Sequence, residues 1–424
     1  MDIALLYERF LASRGVQTDT RRISPGEMFF ALKGPTFNGN LFATEALKAG
    51  ASWVVADEDT AFTDDRIIRV EDVLDTLQQL ARHHRRQFQI PVLAITGSNG
   101  KTTTKELVHA VLSRKFKTHT TRGNLNNHIG IPLTLLAMPA ETEMAVIEMG
   151  ANHQKEIEGY CRYVEPEYGI ITNCGKAHLE GFGGVEGVRK GKGELYDHIR
   201  AHDGTIFMMK DYDYLRQMSA GIKKIITYGT SDADITGTVT HGDPFLEVEW
   251  AGHGCLRTQL AGDYNLPNVL VALAVGVHFG VPEKEIIDAI STYAPSNSRS
   301  QWVEKGDNRI ILDAYNANPT SMAAAIQNLM KQSYPRKCVM LGGMMELGAD
   351  SIQEHTALVR LLQTHEWAEV CLVGGDFMNI DHPYRRFQDV HAAVAWYRSH
   401  PLRDALVLVK GSRSMRMELL TDVL

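Results

Sequence analysis

The chain of 424 residues is longer than one hydrophobic core usually supports, so two or three domains are expected. Its 44% hydrophobic and 22% charged residues describe an ordinary globular protein, and a net charge of -7 argues against a general surface for nucleic acid or anionic membrane. Five cysteines, odd in number and without a C-x-x-C pair, read as reduced packing thiols of a cytoplasmic protein and exclude a disulfide framework.

Met1 to Phe10 carries acids and lacks a basic region followed by an apolar core, so no signal peptide is expected. Short apolar segments follow up to about residue 86. Phe29 to Leu32 and Ala51 to Ala56 read as strands, with a helix over Leu41 to Ala49 between them, and together they predict a small α/β domain. Within it Thr18-Asp19-Thr20-Arg21-Arg22 gathers hydroxyl, carboxylate and guanidinium groups before a Ser-Pro-Gly turn, a set suited to phosphate and ribose and equally to a solvated turn. The run Arg82 to Arg86 marks a helix end or linker.

Ile90 to Thr96 is an apolar run of strand length, Gly97-Ser98-Asn99-Gly100 is a turn, and Lys101-Thr102 opens a helix reaching Leu112. That order is a phosphate-binding loop. Backbone N–H groups and the helix N-terminus face an anion, Lys101 reaches terminal phosphates, and the Thr102 hydroxyl suits magnesium. The general spacing G-x-x-x-x-G-K-[ST] fails at Ile95, which points to a narrower family.

From this loop onward strands and helices alternate, which predicts a mostly parallel sheet with ligands beyond the strand C-termini. Met144 to Gly150 places Glu148 directly after an apolar run, where nucleotide hydrolases hold magnesium. Tyr168 to Asn173 leads to His178, either a ligand or a structural loop histidine. Between them Asn124, Asn126 and Asn127 offer uncharged donors and acceptors for a substrate. Arg189 to Glu194 reads as a basic cluster at the start of a helix, unfavourable to its dipole unless an anion or a chemical modification sits there. The apolar helix Val269 to Phe279, part of a stretch too short for the roughly 20 residues of a membrane span, precedes a Pro/Ser/Asn-rich linker from Tyr293 to Ser300. After it, strands end in turn at Asp313, Gly342-Gly343, Gly374-Gly375 and Lys410-Gly411, predicting a Rossmann-like domain without a G-x-G-x-x-G.

These segments together resemble the Mur ligase family over essentially the whole chain. The motifs that carry the resemblance are Thr96 to Glu106, Asn124 to Pro132, Glu148 to Ala151, Asp313 to Pro319, Gly343 to Gly348 and Lys410 to Arg413, with Tyr-Asn-Ala-Asn-Pro and Met-Glu-Leu-Gly particular to the branch that adds a D-alanyl-D-alanine dipeptide. The resemblance implies three α/β domains at 1–86, 87–297 and 298–424: a domain for the UDP-substrate, an ATPase-type domain with a mostly parallel sheet, and a Rossmann-like dipeptide domain. It implies an ATP-dependent amide ligase acting on UDP-N-acetylmuramoyl-tripeptide through an acyl phosphate.

By the same resemblance, Gly97, Ser98, Asn99, Gly100, Lys101, Thr102 and Thr103 would bind ATP. Asn265 and Asn268 would lie near adenine, Arg299 near the γ-phosphate and Asp313 near the ribose. Thr102, Glu148, His178 and a carbamylated Lys192 would hold Mg2+. Asp19, Thr20, Arg21 and Asn126 would face the UDP-substrate, and Asn316, Asn318 and Ser412 the dipeptide. The family implies a cytoplasmic monomer with no nucleic-acid or membrane partner, and closure about a hinge near Arg299. The chain departs from the family's usual pattern at Leu312, Gly343, Tyr264 and Asn38-Gly39-Asn40. Two other classes are weighed against this one. A ligase adding a single amino acid, or a folate polyglutamate synthase, shares the core motifs, and a nucleotide switch would carry an N-K-x-D motif that is absent.

Overall fold

The computed structural model describes residues 2–59, 64–296 and 298–424; Met1, and Asn297 of the expected linker, lie outside the described residues. The described chain divides into two compact units. One runs to Ala94 and adds Phe116–Gly150 and Glu156–Tyr168; the other comprises Ile95–Lys115, Ala151–Lys155 and Gly169–Leu424.

In the first unit the strands Val16–Gln17, Met28–Phe30, Trp53–Ala56 and Ile67–Arg69 pair in parallel in chain order. Phe29, Val54 and Ala56 pack against Ala43, Ala46 and Leu47 of the helix Ala43–Lys48, so the small α/β domain forms where the apolar segments predict it. The helix Val73–Arg85 starts on Asp72, whose carboxylate accepts from the Asp75 N–H. The basic run is its last turn. Arg85 is buried, donating to the Val164 carbonyl at 3.1 Å and to Glu167 at 2.9 Å, while Arg82 and Arg86 share Glu165. The strands Thr118–Thr120 and Met144–Glu148 pair in parallel and deliver Glu148 at a strand end.

In the second unit, the loop after strand Val92–Thr96 leads into the helix Lys101–Leu112, which packs against the apolar helix Leu266–His278. Residues 269–275 of that second helix are buried on every side, as a helix apolar all round must be. One expectation is corrected here. Strict alternation breaks between 235 and 257, where Ile235–His241, Glu247–Trp250 and Gly254–Arg257 form an antiparallel meander. The intervening segments are too short for a crossover helix, and antiparallel neighbours need only a tight turn.

The C-terminal sheet runs in the order Gln301–Lys305, Asn308–Asp313, Leu406–Lys410, Lys337–Gly342, Glu369–Val373, Arg385–Phe387. The first pair is an antiparallel hairpin and the rest are parallel. Ile310, Val407, Met340 and Cys371 fill its core, hence the continuous apolar runs visible in the sequence. Gln301–Lys305 and Arg385–Phe387 escape that pattern because they are the polar edges. Of the cysteines, Cys161, Cys174, Cys338 and Cys371 are buried thiols and Cys255 is exposed. Among the described residues no helix is long and apolar enough to cross a membrane.

Candidate active site

The phosphate loop is built by a strand that stops and a helix that starts within five residues. Gly97 has φ 142° and Gly100, the helix cap, φ 79°, both in the region that disfavours a Cβ. A Cβ on Gly97 would stand 2.0 Å from Thr172 Oγ1, and one on Gly100 2.6 Å from Asn268 Oδ1. Ile95, where the general pattern has its first glycine, is a fully buried strand residue. The loop is pinned by the end of the neighbouring strand Tyr168–Ile171: Ser98 N–H donates to the Asn173 carbonyl at 2.9 Å, and Thr172 Oγ1 and Asn173 Nδ2 donate to the Asn99 carbonyl at 2.6 and 3.0 Å. Lys101 Nζ bonds the carbonyls of Gly97 at 2.7 Å and Ser98 at 3.2 Å, which holds its charge against the loop. Thr102 is buried in the first helical turn and Thr103 follows it.

Asn265 and Asn268 belong to this assembly. Thr104 Oγ1 donates to Asn268 Oδ1 at 3.0 Å, Asn268 Nδ2 to Asn265 Oδ1 at 2.9 Å, and Asn265 Nδ2 to the Ala261 carbonyl at 2.9 Å. The chain of amides ties the start of the apolar helix to the helix that carries Lys101. Thr172 and Asn173, unassigned from the sequence, brace the loop; their signal is a polar pair closing an apolar strand.

In the first unit Glu148 is 1% exposed. Its Oε1 accepts from Asn126 Nδ2 at 2.7 Å, its N–H donates to Thr121 Oγ1 at 2.9 Å, and its Oε2 is buried without a hydrogen-bond partner. A buried carboxylate with one open oxygen fits a cation. Asn126 thus orients an acid, and a Cβ on Gly150 would fall 2.9 Å from its side chain.

The second unit holds His178 and Lys192. His178 has φ 53°, and its Nδ1 lies 2.5 Å from Glu346 Oε2. That hydrogen bond holds the Glu346 carboxyl below the ordinary carboxylate range. Lys192 is 1% exposed; its Nζ donates to the Ala151 carbonyl at 2.9 Å and lies 4.9 Å from the Phe182 ring centroid. The helix Val185–Ala201 begins four residues before Arg189, so the basic cluster sits in its interior and the argument from the helix N-terminus fails. What the fold does instead is turn Lys192 inward while Lys190 stays exposed. A Cβ on Gly191 would stand 2.4 Å from Phe182 Cε1, so the glycine lets that ring pack against the helix beside Lys192.

Beyond the linker, Asp313 and Lys410 end neighbouring parallel strands in register and form an ion pair, with Lys410 2% exposed. Ser300 N–H also donates to Asp313 Oδ1 at 3.1 Å. Removing one partner of a buried pair leaves the other charge uncompensated. Asp313→Ala is therefore expected to cost about 3 kcal/mol of stability, read as a lower urea midpoint at unchanged slope. Arg299 sits between Ser298 and Ser300, both at positive φ, with its guanidinium 3.6 Å from the Tyr315 ring centroid; that of Arg413 lies 5.6 Å from the same ring. Asn316 is exposed and its backbone carbonyl accepts from Lys410 Nζ at 3.3 Å; Ser412 is buried and its Oγ accepts from the Met345 N–H at 3.0 Å.

Asp19 caps the turn Thr20–Arg22 and pairs with Arg21 through two side-chain bonds of 2.9 and 2.7 Å. The Arg21 side chain, and secondarily its N–H, lowers the Asp19 carboxyl to about 2. A depressed carboxyl contributes above its unfolded value and loses that contribution as pH falls through the folded one. The Asp19 carboxyl carbon is expected to titrate near pH 2 by NMR, and Arg21→Ala should return it to the ordinary carboxylate range.

The departures have physical reasons. A Cβ on Gly343 would stand 2.7 Å from Gly375 Cα, which excludes any side chain. Tyr264 reaches Ser300 Oγ at 2.9 Å and ties the linker down. Leu312 joins the C-terminal core. Asn38 and Asn40 form a network in which they donate to Glu58 at 2.6 Å and Asp57 at 2.8 Å. Among the described residues no three His, Cys, Asp or Glu side chains gather as a metal site.

Comparison with known proteins finds three family models along the chain: "Mur ligase family, catalytic domain" over residues 13–85, "Mur ligase middle domain" over 95–276 and "Mur ligase, glutamate ligase domain" over 298–413. The UDP-N-acetylmuramoyl-tripeptide–D-alanyl-D-alanine ligase of Bacillus subtilis is 34% identical across 95% of this chain and 91% of its own length. That of Escherichia coli is 34% identical across 95% and 92%. A crystal structure of MurF from Acinetobacter baumannii superposes with a TM-score of 0.88 at 31% identity, covering 99% of this chain and 97% of that one. MurF ligase from Thermotoga maritima in complex with ADP gives 0.86 at 28%, covering 98% and 97%.

Proposed function

The chain belongs to the Mur ligase family, and on that premise we propose that it joins D-alanyl-D-alanine to UDP-N-acetylmuramoyl-tripeptide with consumption of ATP, a step in making peptidoglycan precursors. It is an ATP-dependent amide-forming ligase with a three-domain α/β architecture. We draw the domains at 1–86, 87–297 and 298–424, and take the enzyme to be a cytoplasmic monomer serving cell shape and division.

A carboxylate is a poor acyl donor. Phosphoryl transfer from ATP turns the tripeptide's terminal carboxylate into an acyl phosphate, ADP leaves, and the dipeptide amine attacks the carbonyl carbon through a tetrahedral intermediate that expels phosphate. Such chemistry needs positioning and charge neutralisation more than an acid–base pair. Gly97 to Thr103 would cradle the phosphates with backbone N–H groups, Lys101 would neutralise the transferring group, and Arg299, steadied on Tyr315, would approach the γ-phosphate. Glu148, Thr102, His178 and carbamylated Lys192 would hold magnesium, a fit supported by the open buried oxygen of Glu148. Magnesium would supply charge neutralisation of the phosphates. Asp19, Thr20, Arg21 and Asn126 are assigned to the UDP-substrate side, Asn265, Asn268 and Asp313 to the nucleoside, and Asn316, Asn318 and Ser412 to the dipeptide side.

The observation that carries this reading is the hydrogen bond from Asn318, in the dipeptide branch's own motif, to Asn99 of the phosphate loop. Purified enzyme given ATP, UDP-N-acetylmuramoyl-tripeptide and D-Ala-D-Ala should form the pentapeptide product by mass spectrometry. Phosphate release with a single amino acid instead of the dipeptide would overturn it.

A further inference from the structure

Resting on the ligase reading, we propose that Asn318 is a positioning residue that couples the dipeptide domain to the phosphate loop. Its amide is engaged at both ends. Asn318 Oδ1 accepts from the Ser321 N–H at 3.0 Å while Ser321 Oγ accepts from the Asn318 N–H at 3.2 Å, a reciprocal cap on the helix Pro319–Lys331. Asn318 Nδ2 donates to Asn99 Oδ1 at 2.7 Å. Asn99 is the residue of the phosphate loop just before Gly100, and its backbone is fixed by Thr172 and Asn173.

A second contact runs beside the first. Lys176 N–H donates to Thr320 Oγ1 at 3.0 Å, and Ser98 Oγ donates to the Gly175 carbonyl at 3.0 Å. A Cβ on Gly175 would fall 2.9 Å from Thr320 Oγ1 and 3.2 Å from Asn99 Nδ2, so only glycine lets the loop, the turn and the helix start meet this closely. Lys176 Nζ and Glu354 Oε1, 2.5 Å apart, tie the same turn to the next helix, Ser351–Leu362. Loop and helix start are thus one hydrogen-bonded assembly. Whatever shape the triphosphate imposes on Asn99 is imposed on Asn318, and by reciprocity the position of the dipeptide helix biases nucleotide affinity.

The test separates this bond from the cap. Asn318→Ser keeps a neutral capping oxygen but has no amide to reach Asn99; Asn99→Ala removes the partner alone; Asn318→Ala removes cap and bond together. MgADP binding is measured by calorimetry on wild type, the three variants and the Asn99→Ala/Asn318→Ser double variant. Each single variant is expected to bind MgADP about 5–10-fold more weakly, and the double variant no more weakly than either, as coupled residues require. In turnover, Asn318→Ser should raise KM for D-Ala-D-Ala by a similar factor and leave KM for the UDP-substrate unchanged. Asn318→Ala should also lower Tm, whereas Asn318→Ser should not. MgADP affinity within twofold of wild type for Asn318→Ser, or additive losses in the double variant, would overturn the coupling. Absence of turnover by the wild type would instead count against the ligase reading, since the MgADP cycle is read without the dipeptide.

Discussion

Replacing Lys101 with alanine is expected to lower kcat/KM about a thousand-fold or more while leaving Tm within about 2 °C of wild type. The loop does not depend on this side chain for its shape. Strand Val92–Thr96 on one side, the helix on the other and the bonds from Thr172 and Asn173 set the backbone, and Lys101 adds bonds to the carbonyls of Gly97 and Ser98. What it supplies is one positive charge at the start of a helix, where the backbone already favours anions. In a reaction governed by charge neutralisation, losing that charge acts on the transition state far more than on folding. Lys101→Arg is expected to recover little, because the planar guanidinium is wider than the ammonium and presents its donors in a fixed fork. Steady-state kinetics with a thermal melt of each variant checks both halves. A large fall in Tm with Lys101→Ala would show that the lysine holds the loop together and would remove the catalytic argument.

Lys192 carries the second large effect, through the carbamylation proposed above. Lys192 is 1% exposed, with its Nζ donating to the Ala151 carbonyl at 2.9 Å and standing 4.9 Å from the Phe182 ring centroid. In the proposed modification the Lys192 amine, once deprotonated, adds to the carbon of CO2, forming an N–C bond and losing a proton, which leaves a carbamate with carboxylate oxygens. Such a carboxylate-bearing group suits a divalent cation, the role proposed for it above. Lys192→Met keeps the stem's volume and removes the amine, so folding should survive while kcat falls at least a hundred-fold. Wild-type activity should decline in CO2-depleted buffer and return on adding bicarbonate, and Lys192→Met should ignore bicarbonate. A wild-type rate indifferent to CO2 would sink the carbamate and leave Lys192 as a structural lysine.

How much of this was legible in the chain itself depends on how local the signal is. The loop is a local motif: strand period, glycine turn and helix start lie within a few residues, so the strand to Thr96, the turn at Gly97 to Gly100 and the helix opening at Lys101 could be read, and the structure has that order. Glu148 after an apolar run and the buried strands of the C-terminal sheet were readable for the same reason. The polar edge strands and the antiparallel meander were not, because their residues alternate only weakly and pairing is decided by neighbours distant in sequence.

The basic cluster shows the limit most clearly. Its charges suggested a helix N-terminus, yet the helix starts at Val185 and the cluster's meaning comes from which side faces inward. Burial of Lys192, the Lys410–Asp313 pair, the Glu346 contact of His178 and the double use of Asn318 are all products of tertiary packing. Residue types and local order by themselves determined the strand, glycine turn and helix start around Lys101 and the reading of the chain as an ATP-using α/β protein. Which charges are buried, and which amide reaches across 219 residues from Asn318 to Asn99, was decided only when the fold brought distant segments within hydrogen-bond range. The reason is physical: backbone preference and hydrophobic period act over a few residues, whereas desolvation and side-chain hydrogen bonds depend on what packs against them.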